Sequence, residues 1–141
     1  MLVSMESRGP DSAGFAIYNN DKNKNYKYSI CLNEMSFEKF KKEIKKKVKF
    51  TTVEKNSDHV ILKSNEKPNK ILPILEDFST ISLVGYGKSI EIFKQVGSPS
   101  KIVKKFNLDN FSGTHAIGHT RMATESAITT DGSHPYSTGE D

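Results

Sequence analysis

A single cysteine, Cys31, is the entire thiol content of this 141-residue chain. One thiol excludes an internal disulfide and fits a reducing compartment, so a cytoplasmic setting is expected. Long apolar runs are also missing. The densest, Ile71-Leu72-Pro73-Ile74-Leu75, is far too short to span a bilayer, so no membrane partner is expected. The first residues carry Glu6 and Arg8 and no apolar signal core, so no secretion signal is read there. The net charge of +4 is not spread over the molecule: Ser36 to Phe50 holds seven lysines and two glutamates, which leaves the remainder at −1. One helix is basic, and nucleic acid is not an expected partner. With 35% hydrophobic and 27% charged residues, the chain has the composition of one folded domain with a real core.

Taken in order, Met1 to Met5 has apolar residues at helical spacing and stops at Gly9-Pro10, as the tail of a longer helix would. Ser12 to Tyr18 reads as a strand, 19–23 as a turn, and Tyr26 to Leu32 as the return strand. Ser36 is an N-cap for a helix over Phe37 to Val48, whose stripe is Phe37, Phe40, Ile44 and Val48. Its lysines fit a solvated face whose stems cover apolar surface, or alternatively a docking face for an acidic partner. His59 to Lys63 reads as a strand. Pro68 and Pro73 reduce Lys67 to Asp77 to a loop or a short broken helix. Thr80 to Tyr86 and Ser89 to Val96 read as a hairpin turning at Gly87-Lys88. Gly85 to Ser89 lacks the glycine spacing and the helix of a phosphate loop. Ser98 caps a helix over Pro99 to Phe106, and Thr114 to His119 is a strand.

That last strand opens the segment that carries chemistry. Thr114 to Tyr136 holds three of the four histidines, seven serine or threonine residues and one arginine. Convergent polar groups at this density suit a pocket for a polar ligand. His115 and His119 are four apart, but on a strand that is about 13 Å, so they cannot share a metal ion. Ser126 and Ser133 could be paired with His119 or His134, yet no nucleophile elbow is present. Cys31 sits between Ile30 and Leu32 like a buried structural cysteine. Arg121, among hydroxyls at a strand end, suits a carboxylate, which its planar fork can grip with two parallel bonds. A structural ion pair to Asp11, Glu125 or Asp131 is the competing role.

At these residues the chain resembles the class II glutamine amidotransferases. Arg8-Gly9-Pro10-Asp11-Ser12-Ala13-Gly14 is similar to that family's Arg-Gly-x-Asp-Ser-Ala-Gly block. Gly118-His119-Thr120-Arg121-Met122-Ala123-Thr124 is similar to its Gly-His-Thr-Arg-Trp-Ala-Thr block, with Met122 at the tryptophan, and Ser133-His134-Pro135 matches the His-Pro that follows. Thr120 to Ser126 and Glu91 to Gly97 resemble the branch associated with glutamate synthases. The resemblance implies an α+β fold, the four-layer αββα sandwich of N-terminal nucleophile hydrolases. It implies hydrolysis of L-glutamine, with ammonia passed to a synthase domain or subunit and with no cofactor or metal. It implies that Arg121 and Thr124 bind substrate, supported by Arg8, Asp11 and His119.

The family's N-terminal cysteine nucleophile precedes the first block by more residues than this chain has, and its Asn-Gly oxyanion pair follows the last. The chain is therefore expected to be an inactive part of such a domain, with a core over 1–32 and 89–141 and a branch-specific insertion over 33–88. The alternative is a non-catalytic amino-acid-binding or protein-interaction module that uses the basic helix over 37–48.

Overall fold

In the computed structural model, residues 1–19, 25–124, 127–137 and 141 are described. Among the described residues seven strands form two antiparallel sheets. They are β1 (Ser12–Tyr18), β2 (Tyr26–Cys31), β3 (Thr52–Asn56), β4 (His59–Ser64), β5 (Ser82–Gly87), β6 (Ile90–Val96) and β7 (His115–Arg121). A three-stranded sheet has the order β6-β1-β7, and a four-stranded sheet the order β3-β4-β2-β5. This is the α+β arrangement expected at the coarse level.

The pairings correct two expectations. β2 is not the return strand of β1, because the two lie in different sheets. The turn expected over 19–23 falls largely outside the described residues. β5 and β6 meet at a tight turn but also belong to different sheets, so they form no ladder hairpin. Alternating side chains identify a strand and its buried face; they do not name its neighbour. Here both neighbours of β1 come from the far end of the chain. The β5–β6 turn instead spends its N–H groups on Asp141, whose carboxylate accepts from the Lys88 N–H at 2.5 Å and the Ser89 N–H at 3.0 Å.

Three helices cover the sheets: α1 (Phe37–Lys47), α2 (Pro68–Glu76) and α3 (Pro99–Phe106). α1 follows its stripe. Ser36 Oγ accepts from the Lys39 N–H at 3.3 Å, Phe40, Ile44 and Val48 are buried, and the lysines point outward. α2 is a regular helix where a loop or broken helix was expected. Pro68 takes the first helical position, where no N–H is needed, and Pro73 lies on the exposed side of a helix only nine residues long. Ile71 and Leu75 reach the core from its other side. At α3 the Glu6 carboxylate, rather than Ser98, meets the helix start, accepting from the Ser100 N–H at 3.1 Å. The expected N-terminal helix tail is a 3-10 helix over Val3–Arg8.

Three clusters make up the core. α1 and α2 pack with Tyr28, Ile30, Val60 and Leu62 of the four-stranded sheet. α3 packs Ile102 and Phe106 onto Ala13, Phe15, Ile17 and Phe93 of the three-stranded sheet and onto Ile61 of the four-stranded one. Ala16, Ile90 and Ile92 meet Cys31 and Val84 where the two sheets come together. There the Ile92 N–H also donates to Ser29 Oγ at 2.9 Å. No described helix is long and apolar enough to cross a membrane.

Candidate functional site

The two sequence blocks dock on each other at one end of the three-stranded sheet. β1 and β7 pair from Ser12 opposite Arg121 to Tyr18 opposite His115, and Pro10 bridges to Arg121 beyond the ladder. The Asp11 N–H donates to the Arg121 carbonyl at 3.1 Å, and Asp11 Oδ2 accepts from the Ala123 N–H at 2.8 Å. The Asp11 carbonyl accepts from the Gly97 N–H at 2.8 Å, so this residue ties the start of β1 to the ends of both its neighbours. Gly9 is required by space: a Cβ there would lie 2.6 Å from the Arg121 nitrogen and 2.7 Å from Thr120. Asp11 thus acts through backbone, which explains an acid at that place without an ion pair to Arg121.

Alternation along β1 then decides what faces what. Ala13, Phe15 and Ile17 point to α3, so Ser12, Gly14 and Ala16 take the opposite face. By register Arg121 and His119 share that face, and Lys94 of β6 stands opposite Gly14. The 127–137 segment crosses above them. Arg121 Nη1 donates to the Gly132 carbonyl at 2.8 Å, as does Tyr136 Oη at 2.9 Å, and Lys94 Nζ donates to the Asp131 carbonyl at 3.1 Å. Ser133 is buried, its hydroxyl donating to the Thr129 carbonyl at 2.8 Å. His134 Nδ1 lies 3.3 Å from His119 Nε2. Burial, then the charges of His119, Arg121 and Lys94, hold the His134 imidazole below its ordinary pKa. Burial likewise pushes the Lys94 ammonium down. This is a positively biased face closed over by the backbone carbonyls of the 127–137 segment.

Of the other candidates, His119 joins this face, while Arg8 and Thr124 are exposed beside it. His115 stacks on Tyr18, 4.4 Å between ring centroids, and Ser133 is committed to its own loop. Glu125 and Ser126 lie outside the described residues. Cys31 is buried, and burial raises its thiol pKa, as befits a structural cysteine. Lys94 was missed. The signal was its place in β6, on the parity of Ile90 and Ile92, where a lysine is out of pattern.

A metal-type cluster was also missed. Cys31, Asp58 and His59 each offer an atom within 4.8 Å of the others, because β2 and β4 pair Cys31 with His59. Its cation is already internal: Asp58 accepts from Lys105 Nζ at 2.7 Å and pairs with His59 Nδ1 at 2.9 Å. Burial raises the Asp58 pKa, but the His59 and Lys105 hydrogen bonds outweigh it and set the carboxyl well below its ordinary 3.8. A depressed carboxyl contributes stability that is full above its unfolded value and is lost as pH falls toward the folded one. Asp58→Asn should therefore lower the melting temperature at neutral pH and flatten its decline below about pH 4. Melting curves across that range check this; parallel declines for both proteins would remove the assignment.

Comparison with known sequences points to one class, the glutamine amidotransferases. No family model matches the chain. Over its full length the chain is 37% identical, across 145 residues, to the glutamine amidotransferase-like protein GlxB of Rhizobium meliloti, covering 48% of that protein. It is 29% identical over 149 residues to a protein of Methanothermobacter thermautotrophicus provisionally named a glutamine amidotransferase, with 96% of the chain and 49% of that protein aligned. It is 32% identical over 80 residues to the glutamine–fructose-6-phosphate aminotransferase of Methanococcus maripaludis, with 51% of the chain and 13% of that protein aligned. The chain spans about half the length of the first two. These similarities support a glutamine amidotransferase-like domain.

Proposed function

We propose that the chain is part of the glutaminase half of a class II glutamine amidotransferase, with the αββα sandwich of N-terminal nucleophile hydrolases. The intact protein hydrolyses L-glutamine and hands ammonia to a synthase domain or subunit in the cytoplasm; the Glu91–Gly97 and Thr120–Ser126 stretches favour the glutamate-synthase-associated branch. Arg121 takes the α-carboxylate, Thr124 lines the same pocket, and Arg8, Asp11 and His119 brace it. The observation that carries this reading is the docking of two sequence-distant blocks on each other, with Asp11 bonded to both Arg121 and Ala123. Within this reading 33–88 is a branch-specific segment, although three of its strands build the sheet around β2.

The 141 residues alone should not turn over glutamine, because their one thiol, Cys31, is buried at the end of β2. They should bind it. Arg121→Ala is expected to weaken glutamine binding by about tenfold to a hundredfold, as for one or two charge-assisted bonds. Calorimetry measures the binding, and an ammonia-release assay measures the turnover. Unchanged affinity in Arg121→Ala, or glutamate release by this chain above that variant, would remove the reading. The rival is docking of an acidic partner on the lysines of α1. It predicts salt-sensitive binding of an acidic polymer that is lost on neutralising Lys45, Lys46 and Lys47.

A further inference from the structure

One group of donors takes no part in the glutamine reading. Cys31 ends β2 and stands opposite His59, which opens β4, so both side chains leave the same face of the four-stranded sheet. Asp58 precedes His59 in the β3–β4 turn, and its carbonyl accepts from the Leu32 N–H at 2.8 Å, which ties that turn to the end of β2. Cys31 is 3% exposed and His59 0%, and the rings of Phe93 and Phe106 wall the imidazole. A sulfur, an imidazole nitrogen and a carboxylate oxygen thus lie within 4.8 Å of one another, with the half-buried Asp58 as their side toward solvent.

Each donor has an atom to give. Lys105 Nζ takes Asp58 Oδ2 at 2.7 Å and leaves Oδ1 to His59 Nδ1 at 2.9 Å. Among the described residues His59 Nε2 has no hydrogen-bond partner, so Asp58 alone sets the tautomer. With the proton on Nε2 instead, the Nδ1 lone pair is free for an ion. Burial raises the Cys31 thiol pKa, and the Asn33 N–H, hydrogen-bonded to the sulfur, opposes it. An N–H held on the sulfur in this way supports a metal-bound thiolate. Zinc bonds of about 2.0–2.3 Å put tetrahedral donors about 3.3–3.6 Å apart, so closing the trio on an ion takes side-chain shifts of about 1 Å. One thiolate and one carboxylate also neutralise a divalent ion, as a buried place requires.

We propose that Cys31, Asp58 and His59 form a Zn²⁺ site, and that the Lys105 ammonium is the cation the metal displaces. Thiolate, imidazole and carboxylate together favour zinc over the hard cations, which take oxygen donors alone. On binding, the thiol proton passes to water, Lys105 swings out on its flexible stem, and a water takes the fourth position. Lys105 is free to move: its side chain is 31% exposed, and its other contacts are Gln95 Oε1 and the Phe106 ring. The ion clamps the end of β2 to the β3–β4 turn. The site uses none of the residues of the glutamine reading and does not rest on it.

The test titrates the full chain with Co²⁺ and Zn²⁺, as wild type, Cys31→Ser, Asp58→Asn and Lys105→Met. Cys31 is the one thiol, so a thiolate-to-cobalt charge-transfer band can arise nowhere else. That band should appear with Co²⁺ and vanish when Zn²⁺ replaces it. Cys31→Ser should lose the band and about a hundredfold or more in Zn²⁺ affinity, the upper end of what loss of a mere supporting residue costs. Asp58→Asn should keep the band and bind about tenfold or more weakly. Lys105→Met retains all three donors and should bind about twofold to fivefold more tightly, as when one partly exposed ion pair no longer competes. It keeps the test decisive even if Asp58→Asn does not fold. Metal binding without the sulfur band would place the ion on exposed histidines such as His119, and that result overturns the proposal. Equal affinity in Cys31→Ser, or in Lys105→Met, overturns it as well.

Discussion

Gly14→Ala is expected to lift the 127–137 segment off the sheet and to destabilise the chain by about 3 kcal/mol. A Cβ on Gly14 would lie 2.3 Å from the His134 carbonyl oxygen, 2.6 Å from Lys94 Cβ and 2.8 Å from the Phe93 carbonyl oxygen. Two of these atoms are backbone and cannot rotate away. Conformational freedom is not the issue, since Gly14 sits in a regular strand; what matters is that its bare α-carbon forms the floor on which His134 rests. Moving His134 separates its ring from His119 and draws the Asp131 and Gly132 carbonyls away from Lys94 and Arg121. For a chain of this size a loss of about 3 kcal/mol corresponds to about 10 °C in melting temperature. Gly118→Ala is the control. A Cβ there meets only the Leu2 side chain, at 3.2 Å, so a shift of well under about 1 kcal/mol is expected. Equal melting of the two variants, or an unchanged rate of amide exchange over 127–137 in Gly14→Ala, would contradict this account of the site.

That contact also shows what could be read in advance. Local signals were sound: the α1 stripe, the Ser36 cap and the extent of β1. Each rests on a period or a residue type within a few positions. Signals that depend on distant chain were not. β1 and β2 look like a hairpin because they are adjacent strands, yet β1 is held on both sides by strands more than seventy positions away. α2 was misread for a different reason. Two prolines in nine residues suggest a broken helix, and only the structure shows one at the tolerated first position and the other facing solvent. The resemblance named Arg121 as a candidate and said nothing of Lys94, whose nearness to it depends on the β6-β1-β7 register. Lysine at a buried strand parity was the available signal for both Lys94 and Lys27, the latter sharing the face of Ser29 and Cys31.

Lys27 carries the second large effect. It is 1% exposed, and its ammonium pairs with Glu91 at 3.0 Å and also donates to Asn19 Oδ1. The pair joins β2 of one sheet to β6 of the other. Glu91→Leu leaves that ammonium buried beside a neutral amide, and the expected cost is about 3–5 kcal/mol, or roughly 10–17 °C in melting temperature. A crevice of about 300 Å³ lined by Asn25, Thr51, Thr52 and Lys63 adjoins the pair. Water entering from it would soften the penalty, which places the expectation toward the lower end of that range. Lys27→Met should cost less, because the Glu91 side chain it strands is 13% exposed against 2% for Lys27. The double variant Lys27→Met/Glu91→Leu removes both charges and fills the space with apolar atoms, so it should recover most of the loss. The coupling in this double-mutant cycle is then large and favourable, separating a costly unpaired charge from a strongly stabilising ion pair. Additive losses in the double variant would mean that the two side chains do not meet, and that the sheets are joined there by something else.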